Sequence, residues 1–219
     1  MKTVNGWAFP DADEFMVGQM KADGTYQATH LQRALAHVTD FSCAVDGGAH
    51  VGTWSKLLAL RFQKVLAFEP SPDTYEALVA NMAAFACANV EARNEALGAV
   101  PGFIEMILDG RGADLKNTGA RYVRDVPHGR RRTSIRRLVL DELHLPTLGF
   151  LKMDVEGSEP MILMGARLTL ARCKPIVLFE NKGLCRRYGL KPTACQDFLT
   201  KQGYRELEAV GCDRIWGPA

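Results

Sequence analysis

Two hydrophobic rhythms alternate along this chain. Short uninterrupted apolar runs bounded by glycine, proline or acid predict buried strands, and stretches whose apolar residues recur every three or four positions predict amphipathic helices. Phe41 to Val45 is a run of the first kind and ends in Asp46. A glycine turn over 47–52 follows, leading into a helix with Val51, Trp54, Leu57 and Leu58 on one face. Val65 to Phe68 is the next run and ends in Glu69, 23 residues after Asp46. Ser71 as N-cap and Pro72 at the first helical position then open a helix with a predicted buried stripe of Tyr75, Leu78, Val79, Met82 and Phe85. Asn89 to Leu97 reads as a third strand. Upstream, residues 1–28 read as an irregular arm with Trp7 and Phe9 packed, and 29–38 as a helix with apolar positions 31, 34, 35 and 38.

The middle of the chain is less regular. Phe103 to Leu108 alternates as a strand, 110–119 reads as a loop, 130–140 as an extended segment and Asp141 to Leu143 as a short helix. Leu148 to Asp154 and Pro175 to Glu180 are buried strands that end in acid, with a helix opened by Gly157 to Pro160 between them. A helix near 193–202 and a hairpin from Tyr204–Val210 and Asp213–Trp216 close the chain. Repeated strand and helix alternation predicts an α/β fold: a doubly wound, mostly parallel sheet with helices on both faces and right-handed crossovers. One domain is expected over 1–219, made of an arm and helix (1–39), a core (40–181) and a C-terminal helix and hairpin (182–219). Strands ending at Asp46, Glu69, Asp154 and Glu180 would present carboxylates at the sheet edge where α/β folds bind ligands.

Composition adds three points. No apolar run of about 18 residues is present to span a bilayer. The N-terminal segment lacks the apolar block of a signal peptide, so a cytoplasmic protein without a membrane partner is expected. The six cysteines form no C-x-x-C pair and read as buried thiols, not as a disulfide or zinc framework. The formal charge of +2 is uneven, because residues 121–137 carry seven arginines against the single acid Asp125.

Glycines let the 47–52 backbone turn sharply beside a ligand, and a carboxylate at the tip of the second strand is placed to hold ribose hydroxyls. A dinucleotide-binding fingerprint would read G-x-G-x-x-G; here Gly48 and Gly52 are separated by three residues, which disfavours a dehydrogenase. Together these segments resemble the FkbM type of class I S-adenosylmethionine-dependent methyltransferases over roughly residues 40–181. The resemblance rests on Asp46 to Ser55, Ala67 to Pro72, Asn94 to Gly98, Leu140 to Leu143, Leu151 to Glu159, and Gly165-Ala166. It implies a Rossmann-like methyltransferase fold with a C-terminal antiparallel strand, and S-adenosyl-L-methionine as cofactor. Asp46, Gly48, His50, Gly52, Glu69 and Asn94 are the implied cofactor-binding residues, with Glu69 on the ribose and Asn94 near the adenine edge. The family usually has Asn where His50 stands.

Methyl transfer from a sulfonium is an in-line displacement, in which alignment and exclusion of water supply most of the catalysis. Asp154 at its strand end is a candidate base. Lys152, two residues earlier on the same face, either activates a substrate hydroxyl or pairs with Asp154. Glu180 joins them as a catalytic candidate. Asp154, Glu180 and Asn181 also match in type the metal set of catechol-type O-methyltransferases, a related fold, which makes Mg²⁺ a second expected ligand. His128 beside the arginines is a further candidate base. The arginine stretch reads as a solvated surface, a clamp for an anionic acceptor such as a sugar phosphate or nucleotide sugar, or a nucleic-acid patch with little aromatic interleaving. Amino-methylation of DNA is disfavoured because Asp154-Val155-Glu156-Gly157 replaces the [DN]-P-P-[YF] turn. The leading expectation is O-methylation of a small-molecule or sugar hydroxyl. The alternatives are a nucleic-acid methyltransferase using 121–137 and a cofactor-binding module without catalysis.

Overall fold

The computed structural model describes residues 1–20, 26–107, 118–121 and 132–219, the side chains of Ile107 and Arg132 excepted. In chain order its first half comprises β1 (Lys2–Val4), β2 (Trp7–Phe9), α1 (Glu14–Gln19), α2 (Ala28–Leu35), β3 (Cys43–Gly47), α3 (Thr53–Ala59), β4 (Lys64–Phe68), α4 (Pro72–Ala84) and β5 (Val90–Arg93). The second half comprises β6 (Ala96–Leu97), β7 (Gly102–Ile107), β8 (Arg132–Leu138), β9 (Phe150–Met153), α5 (Glu159–Met164), α6 (Arg167–Cys173), β10 (Ile176–Glu180), α7 (Ala194–Lys201), β11 (Tyr204–Val210) and β12 (Asp213–Pro218).

Seven strands form the central sheet in the order β11-β12-β10-β9-β3-β4-β5. β5, β4, β3, β9 and β10 run parallel, and β12 lies antiparallel between β10 and β11. The chain winds outward from β3 to β5, then returns to the other side of β3 to lay down β9 and β10. β3 and β9 therefore flank the topological switch point, where the C-terminal ends of adjacent strands leave a crevice. Alternate residues of each strand enter the two cores. Val45, Leu151, Val177 and Phe179 pack on one face, and Ala44, Phe150 and Leu178 pack on the other. This two-sided burial is why these strands read as continuous apolar runs.

Five expectations are corrected. The predicted strand over 89–97 is two strands, because β6 leaves the main sheet and pairs with β8 in a three-stranded sheet, order β6-β8-β7. The break falls at Asn94, whose amide donates to the carbonyls of Glu69 (2.9 Å) and Pro70 (3.0 Å) and so ties off the end of β4. The helix after residue 157 is two helices split at Gly165, where an added Cβ would sit 2.1 Å from the Gly98 carbonyl oxygen. Asp141 starts the second of them by accepting from the N–H groups of Leu168 (2.9 Å) and Thr169 (2.8 Å). The N-terminal arm is not irregular, because β1 and β2 form an antiparallel hairpin followed by α1. Within α4, Val79 is exposed, and Thr74, Ala77, Leu78, Asn81 and Met82 make the buried face. Among the described residues no helix is long and apolar enough to cross a membrane. All six cysteines are free thiols, with Cys212 exposed and Cys87 and Cys173 only partly buried.

Candidate functional site

A cleft of about 1230 Å³, part of it open to solvent, lies over the C-terminal ends of β3, β4 and β9. Gly47 to His50 form its floor, with Glu69 on one side and Asp154 to Glu156 on the other. The turn is pulled into shape by one carbonyl, because Phe68 accepts from the N–H groups of both Gly48 (3.0 Å) and Ala49 (3.0 Å). Gly48 is obligatory on two counts: its φ is +74°, and an added Cβ would lie 1.9 Å from the Asp154 carbonyl oxygen. The same close approach brings the loop after β9 against the turn.

Glu69 points at the glycine turn. One carboxylate oxygen accepts from the N–H of His50 (2.9 Å) and the other from the N–H of Ser71 (2.8 Å). Each oxygen keeps a further lone pair for a hydroxyl on the cleft side. Burial raises the Glu69 carboxyl above the usual carboxylate range, opposed by the His50 ring, the two backbone donors and Lys152.

Asp46 and Lys152 are cross-strand neighbours in the β3–β9 ladder. Both are buried and pair at 2.8 Å. Asp46 also accepts from the Ser55 hydroxyl (2.6 Å), and Lys152 donates to the Gly48 carbonyl (2.8 Å). Burial works against the Lys152 charge, but the attraction of Asp46 prevails and its pKa is raised. The expected pairing of Lys152 with Asp154 is therefore replaced by pairing with Asp46, as the cross-strand register dictates. Asp46 itself is not on the cleft wall, since its carboxylate is spent joining β3, α3 and β9.

The far end of the cleft is acidic. Asp154, Glu156 and Glu180 line it together with Tyr26 and Lys182. Among the described residues the Asp154 carboxylate makes no hydrogen bond or ion pair, whereas Glu156 pairs with Arg187 (3.2 Å) and Glu180 with Lys182 (2.6 Å). Burial, then repulsion from Asp154, pushes Glu180 up to about 7 despite Lys182. The same two causes raise Glu156 and the Tyr26 phenol. Behind this end, Glu159 is buried and accepts from the N–H groups of Val155 (3.2 Å) and Gly157 (3.1 Å), which fixes the loop that carries Asp154 and Glu156. Burial lifts its carboxyl to about 7.

A roof comes from parts of the chain to which the sequence assigned no site role, together with Arg121 of the basic stretch. Phe15, Met16, Tyr26, Gln27, Thr118, Gly119 and Arg121 all face the cleft. Asp13, fully buried, accepts from the Thr118 hydroxyl (2.6 Å) and the Met16 N–H (3.1 Å), and lies 3.1 Å from His50 Nε2. Burial disfavours its charge, but the His50 and Thr118 contacts outweigh burial and hold its carboxyl below the usual range. No sequence signal marks Asp13 or Thr118, because their meeting with His50 depends on tertiary contacts between residues 105 and 68 positions apart.

Of the sequence-predicted residues, Gly48, His50, Glu69, Lys152, Asp154 and Glu180 are thus gathered on one cleft, while Asp46, Gly52, Asn94 and Asn181 do not line it. Gly52, at φ +91°, faces α4, with an added Cβ only 2.6 Å from Leu78 and 2.7 Å from Met82. The Mg²⁺ reading gains no support from this arrangement. Lys182 occupies Glu180, Asn181 lies off the wall, and among the described residues no three His, Cys, Asp or Glu side chains are grouped to hold a metal. Three arginines of the basic stretch can be followed. Arg121 binds Asp73 and Ser71, Arg136 pairs with Glu95 (3.0 Å), and Arg137 donates to the Val100 carbonyl (2.7 Å). Arg124, Arg130, Arg131, the Arg132 side chain and His128 lie outside the described residues.

Comparison with known proteins gives a consistent result. The family described as methyltransferase FkbM domain matches residues 46–206. No curated protein matches the chain. Among solved structures, a methyltransferase FkbM from Methylobacillus flagellatus KT superposes with a TM-score of 0.53 at 18% identity, covering 88% of this chain and 46% of that one. The present chain therefore spans about half the length of that relative. Precorrin 8w decarboxylase from Methanobacterium thermoautotrophicum aligns over 100% of both chains with a TM-score of 0.52 and 13% identity. A Streptococcus mutans protein described as a methyltransferase, solved in complex with SAH, gives a TM-score of 0.52 at 11% identity over 89% of this chain and 99% of that one. At these identities the structural likeness speaks for the fold, a Rossmann-like α/β fold.

Proposed function

Because this chain belongs to the FkbM methyltransferase family, we propose that it transfers a methyl group from S-adenosyl-L-methionine to the hydroxyl of a small-molecule acceptor. One observation carries the reading: the buried Glu69 carboxylate lines the cleft beside the glycine turn, each oxygen held by a single backbone N–H, from His50 and Ser71, which leaves each oxygen the capacity to accept from a ribose hydroxyl. Hydrogen bonds to an ionised acceptor contribute about 1.5–3 kcal/mol each, so two would hold a nucleoside firmly.

The residues present fit such a ligand. Bound S-adenosyl-L-methionine would supply an electrophilic methyl carbon on a positively charged sulfur. Asp154, facing the cleft without a partner among the described residues, offsets positive charge at that position. Glu180, poised at about 7, accepts the proton of the acceptor hydroxyl as general base. Lys182 holds Glu180 in place, and Tyr26, kept protonated by burial and by Asp154, donates a hydrogen bond to the incoming oxygen. Lys152 acts by supporting the floor through Asp46 and the Gly48 carbonyl, not on the acceptor. Asn94 and Gly52 likewise serve as supports. With Asp154, Glu156 and Glu180 along the far wall and Arg121, Arg136 and Arg137 already engaged, the described residues favour an uncharged hydroxyl over an anionic acceptor.

The test is methyl transfer from S-adenosyl-L-methionine labelled on its methyl group to fractionated small molecules, glycans and RNA, with Glu180→Gln as the blank. Label in a base-stable small-molecule ether supports the reading. Label confined to RNA, or none in any fraction despite tight cofactor binding, refutes it in favour of the nucleic-acid or non-catalytic alternative.

A further inference from the structure

The amino-terminal arm lies outside the span that the family match covers, yet it supplies part of the cleft wall. It is firmly docked. Trp7 and Phe9 are buried, Trp7 packs on Phe85 at 4.6 Å between ring centroids, and Lys56 Nζ sits 3.8 Å from the Phe85 ring centre. Both backbone polar groups of Ala8 are bonded by the Asn81 side chain (2.7 and 3.0 Å), which also donates to the Val51 carbonyl (2.8 Å). The hairpin is thereby fastened to α4 and to the glycine turn, and the residue it delivers to the turn is Asp13.

The proton inventory around Asp13 determines how His50 is held. The Thr118 hydroxyl has one proton and gives it to Asp13 at 2.6 Å. Toward His50 Nε2, 2.8 Å away, the same Thr118 oxygen can then only accept, and Asp13, 3.1 Å from that nitrogen, is also an acceptor. Nε2 must therefore carry hydrogen, which fixes the tautomer of the neutral ring; Nδ1 is buried without a partner among the described residues. Residue 50 needs such an anchor, because it adopts φ +52°, a left-handed conformation that side chains other than Gly seldom take. That conformation is what presents the His50 N–H to Glu69 at 2.9 Å. Just past Asp13, Phe15 lines the cleft while remaining 44% exposed.

We propose that the arm is a working part of the ligand cleft: Asp13, with Thr118, is a positioning residue that acts through the His50 ring to keep Glu69 set for the nucleoside, and Phe15 is a binding residue that covers the bound adenosyl group. This rests on the reading of the cleft as an S-adenosyl-L-methionine site. The arm's contribution is separate from the family's own segments, since Asp13 and Phe15 precede residue 46.

Titration calorimetry of the full chain with S-adenosylhomocysteine tests it, with Glu69→Gln as the reference and Phe103→Ala, on the exposed edge of β7, as the control. Asp13→Asn and Thr118→Val are expected to weaken binding about 10–100-fold, the range for losing hydrogen bonds to a charged group. Thr118→Ser, which keeps the hydroxyl, restores wild-type affinity, and Phe15→Ala weakens binding about 3–10-fold with an unchanged melting temperature. Nitrogen NMR of the His50 ring adds a readout that loose packing would not mimic. The wild type and Thr118→Val show the Nε2–H tautomer alone, since the Asp13 carboxylate still accepts there, and Asp13→Asn, where that variant folds, shows a mixture. Binding within twofold of wild type in Thr118→Val and Phe15→Ala, with Glu69→Gln still weakened, overturns the arm's role and leaves the cofactor reading standing. Failure of the wild type to bind S-adenosylhomocysteine overturns both.

Discussion

Replacing Lys152 by Met examines whether the lysine beneath the glycine turn is chemistry or framework. The side chain is 5% exposed and Asp46 is 0% exposed, and the two lie 2.8 Å apart, so Lys152→Met leaves an uncompensated carboxylate in the core. Breaking a buried pair from one side costs about 3–5 kcal/mol. The lost hydrogen bond to the Gly48 carbonyl falls within that range. Against a typical domain stability of about 5–15 kcal/mol, this is a large fraction. The decisive comparison is a double-mutant cycle with Asp46→Asn, which keeps an acceptor for the Ser55 hydroxyl while removing the charge. The double variant is expected to be at least about 2 kcal/mol more stable than the sum of the single losses allows. Urea unfolding monitored by circular dichroism and tryptophan fluorescence measures it, with Trp54, 5.7 Å from Lys152 Nζ, as a local reporter. Affinity for S-adenosylhomocysteine is expected to recover along with stability in the double variant. A loss below about 1 kcal/mol in Lys152→Met, or strictly additive losses in the cycle, would refute the framework role.

Three further outcomes follow from the geometry. Glu159 is buried and titrates near 7 in the folded chain, above its ordinary 4.5, so the folded state binds the extra proton and stability declines as pH rises from about 4.5 to about 7. Glu159→Gln should flatten that slope, by up to about 3 kcal/mol across the interval, and a slope unchanged in chemical denaturation would assign it to other groups. If Glu180 is the base, the turnover number rises with pH through about 7 as its carboxyl loses its proton. Glu180→Gln should remove that limb and slow turnover by roughly 10²–10⁴-fold, whereas a retained limb in the variant would move the role to another group. Gly48→Ala places a methyl 1.9 Å from the Asp154 carbonyl oxygen at a φ of +74°. The turn must then open, and calorimetry should show nucleoside binding abolished even where circular dichroism reports a folded sheet.

Local chemistry carried far in this protein. Apolar runs at 41–45, 65–68, 148–153 and 175–179 each form a strand with both faces covered, so hydrophobicity alone marked them. The glycine spacing at 48 and 52 and the acids closing those runs located the sheet edge, because a parallel sheet gathers strand ends on one side. Folding then separated residues that the sequence left equivalent. Asp46 and Glu69 are both strand-end acids and both are buried, but cross-strand register pairs the first with Lys152 away from the cleft while the second lines the cleft wall. Asn94 resembles a base-reading residue in the sequence, and in the fold its amide braces the end of β5 against the carbonyls of Glu69 and Pro70.

The sequence by itself therefore determined the winding and the kinds of group at the strand tips, since these depend on periodicity and on neighbours a few positions apart. Tertiary structure alone decided which of those groups point into the cleft and what roofs it. Asp13 meets Thr118 across 105 positions, and a hydrogen bond of 2.6 Å between them is set by the docking of a hairpin on α4. Long-range meetings of single polar side chains leave no periodic trace along a chain, because only repeated contacts impose a repeat.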